Sequence, residues 1–245
     1  MSILEGQSVS KQFGGLMAVS NVDFHLEQEE ILGLIGPNGA GKTTLFDLIS
    51  AALTPKSGKI VFKGVDITGV KPSRICRMGL ARTFQNVKIF GNLSVLENVL
   101  VGSYFGLSGK ISRPSAENNA EEAISFTGLS AVKQSSASDL TLANQKRLQV
   151  ARALATKPQV IMLDEIMEGL NHFEVSQAMD LVVRIRDSGV TVIMIEHVMK
   201  AIMNVCDRIM VLHHGVKIAD GTPAEVVADQ TVMKVYLGDH ASVVG

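Results

Sequence analysis

Residues 31–44 read ILGLIGPNGAGKTT, and this run decides the fold. Its first five residues are apolar and of the right length for a buried strand. The next eight, Gly36-Pro37-Asn38-Gly39-Ala40-Gly41-Lys42-Thr43, match the spacing G-x-x-x-x-G-K-[ST]. Apolar residues at Leu45, Leu48, Ile49 and Leu53 then predict a helix over 42–53. Strand, glycine turn and helix together form the context in which this spacing has a mechanism. Glycines let backbone N–H groups turn inward around phosphate oxygens, and the helix N-terminus adds positive potential. Lys42 is expected to reach the β- and γ-phosphates, and Thr43, with Thr44 beside it, offers a hydroxyl to Mg²⁺. Gly36 to Thr44 is therefore the expected phosphate-binding loop.

Outward from that loop, the chain has 245 residues, enough for one large domain or a core with an insert. Its net charge of −1 provides no general attraction for nucleic acid or acidic lipid. Trp is absent and aromatics are 4%, which argues against a base-stacking surface, so no nucleic-acid partner is expected. Hydrophobic residues reach 46%, yet no uninterrupted apolar run approaches the about 18 residues of a membrane span. The start, MSILEGQSVSKQF, lacks the charged and apolar regions of an export signal. Cys76 and Cys206 fit no metal spacing and are expected to be free thiols of a cytosolic protein.

Before the loop, 22–26 alternates like a strand. After it come strand signals at 59–62 and 65–67, a helix at 72–79 opened by Pro72, and the strand-like LARTF. Ser94 and Glu97 form a capping-box pattern ahead of a helix to 101. A loop is expected at 106–114, and a helix at 115–127 stopped by Gly128. From 160 the pattern becomes strand 160–163, helix 172–188, strand 191–195, helix 198–205 and strand 209–213, with short helices at 223–228 and 231–236. Doubly apolar strands alternating with helices imply an α/β fold with a parallel sheet covered on both faces.

The run VIMLDE, 160–165, delivers Asp164 and Glu165 to the C-terminal edge of its strand, where ligands sit in open α/β sheets. Acids at a strand end are ordinary by themselves. With a phosphate loop upstream, Asp164 is expected in the Mg²⁺ shell and Glu165 as the group that polarises an attacking water. His197 follows the strand 191–195 and is expected near the γ-phosphate. Gln85 is expected to bond the Mg²⁺ or the water.

Taken in order, these residues resemble the nucleotide-binding subunit of an ABC transporter. The order is the loop 36–43, RTFQ 82–85, a signature helix 140–154, LDE 163–165, GLN 169–171 and EH 196–197. The resemblance implies a P-loop NTPase core with a mostly parallel sheet, an antiparallel β subdomain and an inserted α-helical subdomain. It places the core at 1–85 and 158–245 and the helical insert at 86–157. It implies ATP and Mg²⁺ as ligands, ATP hydrolysis as the activity, and Phe13 as the aromatic that stacks on adenine. FGGLMAV, RTFQNVKIF, SVLENVLVG, EGLN and KVYLG look most like the branched-chain amino acid importer subfamily, with a lipopolysaccharide exporter subunit as the nearest alternative. Further partners implied are integral membrane permeases and a second ATPase subunit, with the chain peripheral on the cytoplasmic face of the membrane. The apolar run Val87, Ile89, Phe90, Leu93 suits a surface that docks the permeases, or else core of the helical subdomain. A soluble ABC ATPase of repair or translation is disfavoured, since those usually carry two cassettes or a long coiled coil.

The signature departs from the family's LSGGQ. In such pairs each signature covers the γ-phosphate held by the partner. Here it reads Leu140-Thr141-Leu142-Ala143-Asn144. Thr141 keeps a hydroxyl and Asn144 stands for glutamine. Ala143 brings a Cβ to a place where close approach or a positive φ is expected. A weakened signature favours a heterodimer with unequal sites over a homodimer. Intact Lys42, Asp164, Glu165 and His197 argue against a non-hydrolysing switch. Ile166 replaces the family's Pro, and Asn171 its commoner Asp. Lys146, Arg147 and Arg152 are expected on a solvated or subunit-facing helix side, and His213-His214 at a hairpin beside Gly215.

Overall fold

The computed structural model describes residues 2–106, 109 and 111–237. The Gly238 that closes KVYLG, and part of the expected loop 106–114, lie outside the described residues. Two compact units are present, one drawn from Met1–Val70 and Ile193–Gly245, the other from Lys71–Val192.

In the first unit, β1 (Ser2–Phe13) and β2 (Leu16–Glu27) form a long antiparallel hairpin. β4 (Ser57–Phe62) and β5 (Val65–Asp66) extend it in the order β2-β1-β4-β5. β3 (Ile31–Ile35), buried at every residue, runs parallel to β9 (Arg208–His213) from Leu32 opposite Arg208 to Ile35 opposite Val211. β10 (Val216–Gly221) returns antiparallel on β9, with His213 and His214 at the turn. Arg208 fastens this unit: its guanidinium donates to Glu30 at 2.7 Å and to Asp220 at 2.6 Å. The helices are α1 (Lys42–Ile49), α7 (Met199–Val205), α8 (Pro223–Ala228) and α9 (Gln230–Leu237). α1 stops four residues short of the expected Leu53. Ser50 Oγ bonds back to Phe46 O at 2.8 Å, and Ala51 turns to φ 55, which no continuing helix tolerates.

In the second unit, β6 (Leu80–Arg82) runs parallel to β7 (Val160–Asp164), with Arg82 opposite Met162. α2 (Pro72–Met78) precedes them. The helices α3 (Val95–Gly106), α4 (Arg113–Phe126) and α5 (Leu142–Leu154) pack through Val95, Val99, Ala120, Ile124, Leu148 and Ala151. α3 outruns its expected end at 101 because it keeps a neighbour along its whole length. A Cβ on Gly102 would lie 2.2 Å from Arg152 O, so α3 meets α5 at backbone distance. α6 (His172–Asp187) starts from a capping box in which Asn171 and Glu174 exchange hydrogen bonds. β8 (Thr191–Ile195) begins in this unit and ends in the first.

Thus parallel pairs are interleaved with helices, an antiparallel β layer stands in the first unit, and a helical cluster fills the second. No helix among the described residues is long and apolar enough to cross a membrane.

Candidate functional site

In the first unit, the run from β3 to α1 is a tight loop held by its glycines. Gly36 (φ 152) and Gly41 (φ 101) lie in the region that disfavours side chains. A Cβ there would lie 2.2 Å from Leu212 O and 2.4 Å from Ala18 O. The loop is seated backbone to backbone against β9 and β2, so its curvature is fixed by the sheet. Ala40 N–H donates to Pro37 O at 3.1 Å, and Gly215 N–H to Ala40 O at 2.9 Å. Lys42 is buried, and its Nζ donates to Gly36 O at 2.7 Å and Pro37 O at 3.0 Å. A full positive charge therefore sits under the loop, at the N-terminal end of α1 where the helix dipole adds to it. Thr43 is exposed and Thr44 half-buried. Phe13 closes β1 with 46% of its surface exposed, so it is not core filler, and Lys11 Nζ lies 5.4 Å from its ring centre. His197, just past β8, is exposed. Burial pushes the Tyr236 phenol of α9 up to about 12, against a smaller opposing hydrogen bond from the Gly36 backbone.

In the second unit, the end of β7 carries the two acids. Asp164 and Glu165 are both buried. Arg82 donates to Asp164 Oδ2 at 2.8 Å, an ion pair with side-chain exposures of 7% and 3%. Thr83 Oγ1 accepts from Asp164 N–H at 3.0 Å, and Thr83 N–H donates to Met162 O at 2.9 Å. The other carboxylate oxygen, Asp164 Oδ1, is buried with no hydrogen-bond partner among the described residues. A buried hard oxygen left over in this way fits a ligand position for Mg²⁺. Glu165 adopts φ 50, the left-handed region, and its Oε2 accepts from Gln85 Nε2 at 2.7 Å. Gln85, Asp164 and Glu165 are thus brought together.

The signature residues start α5. Thr141 is its N-cap, with Oγ1 accepting from Asn144 N–H at 3.4 Å. Ala143 lies in the first helical turn and is not among the positive-φ residues. The expected backbone strain there is absent, because a helical residue accepts a Cβ freely. What Ala143 and Leu142 change is the surface: Ala143 is packed inward, while Leu142 is 43% exposed beside Thr141.

Three residues have a part in this geometry that the sequence did not assign them: Arg82 and Thr83, which entered only within RTFQ, and Lys146. Lys146 corrects the expectation of a solvated or subunit-facing helix side. It is 6% exposed, and its Nζ donates to Glu165 O at 2.8 Å and Glu168 O at 2.6 Å. The signal was present, since Ala143, Lys146 and Val150 share one helical stripe with apolar ends. Arg147 bonds Gln177, and Arg152 donates to Lys88 O and lies over Phe90 at 5.5 Å, so neither is simply solvated. Of the expected docking run, Ile89 packs on the helical core, while Phe90 is half exposed.

The family model described as "ABC transporter" matches residues 19–168, which include the phosphate loop, the signature and both acids. The chain belongs to the ABC transporter family. It is an ATP-binding and ATP-hydrolysing transporter subunit with the P-loop NTPase fold. A second model, described as "Branched-chain amino acid ATP-binding cassette transporter", matches 216–242. The high-affinity branched-chain amino acid transport ATP-binding protein BraF of Pseudomonas aeruginosa is 36% identical, over 97% of this chain and 98% of its own length. LivG of Escherichia coli, with the same printed role, is 37% identical over the same shares. Among solved structures, a nucleotide-free ATP-binding cassette from an ABC transporter superposes with TM-score 0.89 at 28% identity. It covers 98% of this chain and all of that one.

Proposed function

We propose that this cassette powers import of branched-chain or related amino acids, from the cytoplasmic face of the membrane, bound to integral permeases. The single observation that carries the substrate class is the subfamily-specific match over 216–242, a segment outside the shared ATPase motifs. In this reading Gly36, Pro37, Asn38, Gly39, Ala40 and Gly41 wrap the phosphates, Lys42 neutralises them, and Phe13 stacks on adenine. Bound Mg²⁺ would supply charge neutralisation on the phosphates. Thr43, Gln85 and Asp164 are the oxygens assigned to it, and the orphaned Asp164 Oδ1 supports that assignment. Glu165 accepts the proton of the attacking water, Gln85 orients it, and His197 contacts the γ-phosphate. Arg82 holds Asp164 in one rotamer. Thr141, Ala143 and Asn144 present the start of α5 to a nucleotide on a second cassette. The exposed Leu142, where the family has glycine, supports a partner cassette of different sequence and unequal sites.

The test is uptake of labelled leucine by cells lacking this chain. Wild type is expected to restore it, and Glu165→Gln to leave it near background. Uptake that is unaffected by the deletion, or that Glu165→Gln restores fully, would contradict the proposal.

A further inference from the structure

Lys146 carries an inference beyond these roles. It sits in the second turn of α5, the helix that begins at the signature, and buries its ammonium against two carbonyls three residues apart, Glu165 O and Glu168 O. Two carbonyls converging on one point concentrate negative potential, and an ammonium with several N–H donors answers both at once. Within the turn they belong to, Glu168 N–H reaches Glu165 O at 3.4 Å, and Leu170 N–H reaches Met167 O at 3.3 Å. This turn holds Glu165 at φ 50, a backbone state that a residue with a side chain keeps only when its surroundings impose it. That backbone state determines where the carboxylate points, here to Gln85 Nε2 at 2.7 Å.

We infer that Lys146 is a positioning residue for Glu165: its ammonium grips the Glu165 and Glu168 carbonyls and so keeps the glutamate carboxylate aimed at its working place. The inference rests on the reading of Glu165 as the water-activating base. It also joins two functions within one chain. The helix offering Thr141 and Asn144 to a neighbouring nucleotide is tied by one side chain to the glutamate that serves the chain's own nucleotide. Movement of the signature end is thereby transmitted to Glu165 without any contact to ligand.

The experiment measures ATP turnover in the complex purified through a tag on this chain. Glu165→Gln first defines the share of turnover that depends on this chain. Lys146→Met keeps the aliphatic stem and removes the donors; Lys146→Arg keeps charge and donors. Lys146→Met is expected to lower kcat within that share roughly tenfold or more, the scale of a misplaced catalytic group, with KM for ATP unchanged. Lys146→Arg is expected to recover most of it. Added to Glu165→Gln, Lys146→Met is expected to cause no further loss. Should the methionine variant fail to fold, Lys146→Gln, whose shorter amide lacks the charge and cannot reach both carbonyls, is expected to lower kcat in the same direction, and wild-type kcat there would equally overturn the inference. Wild-type kcat in Lys146→Met, no recovery by Lys146→Arg, or a further full loss on top of Glu165→Gln would overturn the inference. Full turnover by Glu165→Gln alone would instead remove the base assignment beneath it.

Discussion

Replacing Arg82 by Met isolates the electrostatics of the β7 end. The Arg82–Asp164 pair is 2.8 Å long, with both side chains more than nine-tenths buried. Asp164 Oδ1 has no hydrogen-bond partner among the described residues, so Oδ2 carries the carboxylate's side-chain contact to cationic charge. Removing the guanidinium leaves a buried anion whose main support is the Asp164 N–H anchored to Thr83, which fixes the backbone rather than the charge. Breaking one side of such a pair costs about 3–5 kcal/mol. For a chain of this size that corresponds to a fall of roughly 6–20 °C in Tm. Neutralising both members, in Arg82→Met with Asp164→Asn, removes the unpaired charge and is expected to recover most of the loss. The assay is thermal unfolding in EDTA, repeated with Mg-ATP. Cation binding at Asp164 partly replaces the lost guanidinium, so Mg-ATP is expected to raise the Tm of Arg82→Met by more than that of wild type. A single variant within about 1 kcal/mol of wild type, or a double variant no more stable than the single, would refute this reasoning.

Further outcomes concern Thr83 and, separately, Cys206. Thr83→Val keeps shape but removes the oxygen that accepts the buried Asp164 N–H, and is expected to cost about 1–3 kcal/mol in urea unfolding; an unchanged midpoint would show that the donor finds another partner. Burial, with smaller contributions from Asp207 and Glu196, pushes the Cys206 thiol up to about 12. At pH 8 native Cys206 is therefore expected to resist iodoacetamide and to react once unfolded, whereas rapid labelling of the folded chain would contradict its burial. Because the folded pKa lies above that of a free thiol near 8.5, the unfolded chain loses this proton first. Its contribution to stability is full below about pH 8.5 and is lost as pH rises toward the folded value, so Cys206→Ala should flatten the alkaline limb.

Much of the architecture was legible because burial is written in period and punctuation. The five-residue apolar run of β3, and the four-residue runs of β8 after Thr191 and of β7 ahead of its acids, permit little but a strand covered on both faces. The glycine spacing before Lys42 located the loop for a mechanical reason, since Gly36 and Gly41 would strike backbone oxygens if they carried a Cβ. What was hidden depends on tertiary partners. β1 reads as polar and irregular because its pairing with β2 shifts register at several places, with Ser8 at φ 48, and no strict alternation survives. The length of α3 is set by its packing on α5, which no local signal in α3 announces. At the site, residue type located the acids, but the sequence did not show that Arg82 neutralises one oxygen of Asp164. Lys146 is expected on a solvated or subunit-facing helix side because lysine is usually exposed, although its position on the Ala143–Val150 stripe pointed inward. At Ala143 the sequence suggests either a block to close approach or a positive φ; helix α5 begins early enough that no positive φ is needed there.

The central claim is that the loop before Lys42 grips the phosphates of ATP with a buried ammonium. Equilibrium binding of Mg-ATP to the full chain and to Lys42→Ala tests it most directly, with folding of both checked by circular dichroism. The account predicts measurable affinity in wild type and a loss of roughly a hundredfold in the variant, the scale of removing a buried charge-assisted contact. Equal affinity in the two folded proteins, or none in either, would contradict it.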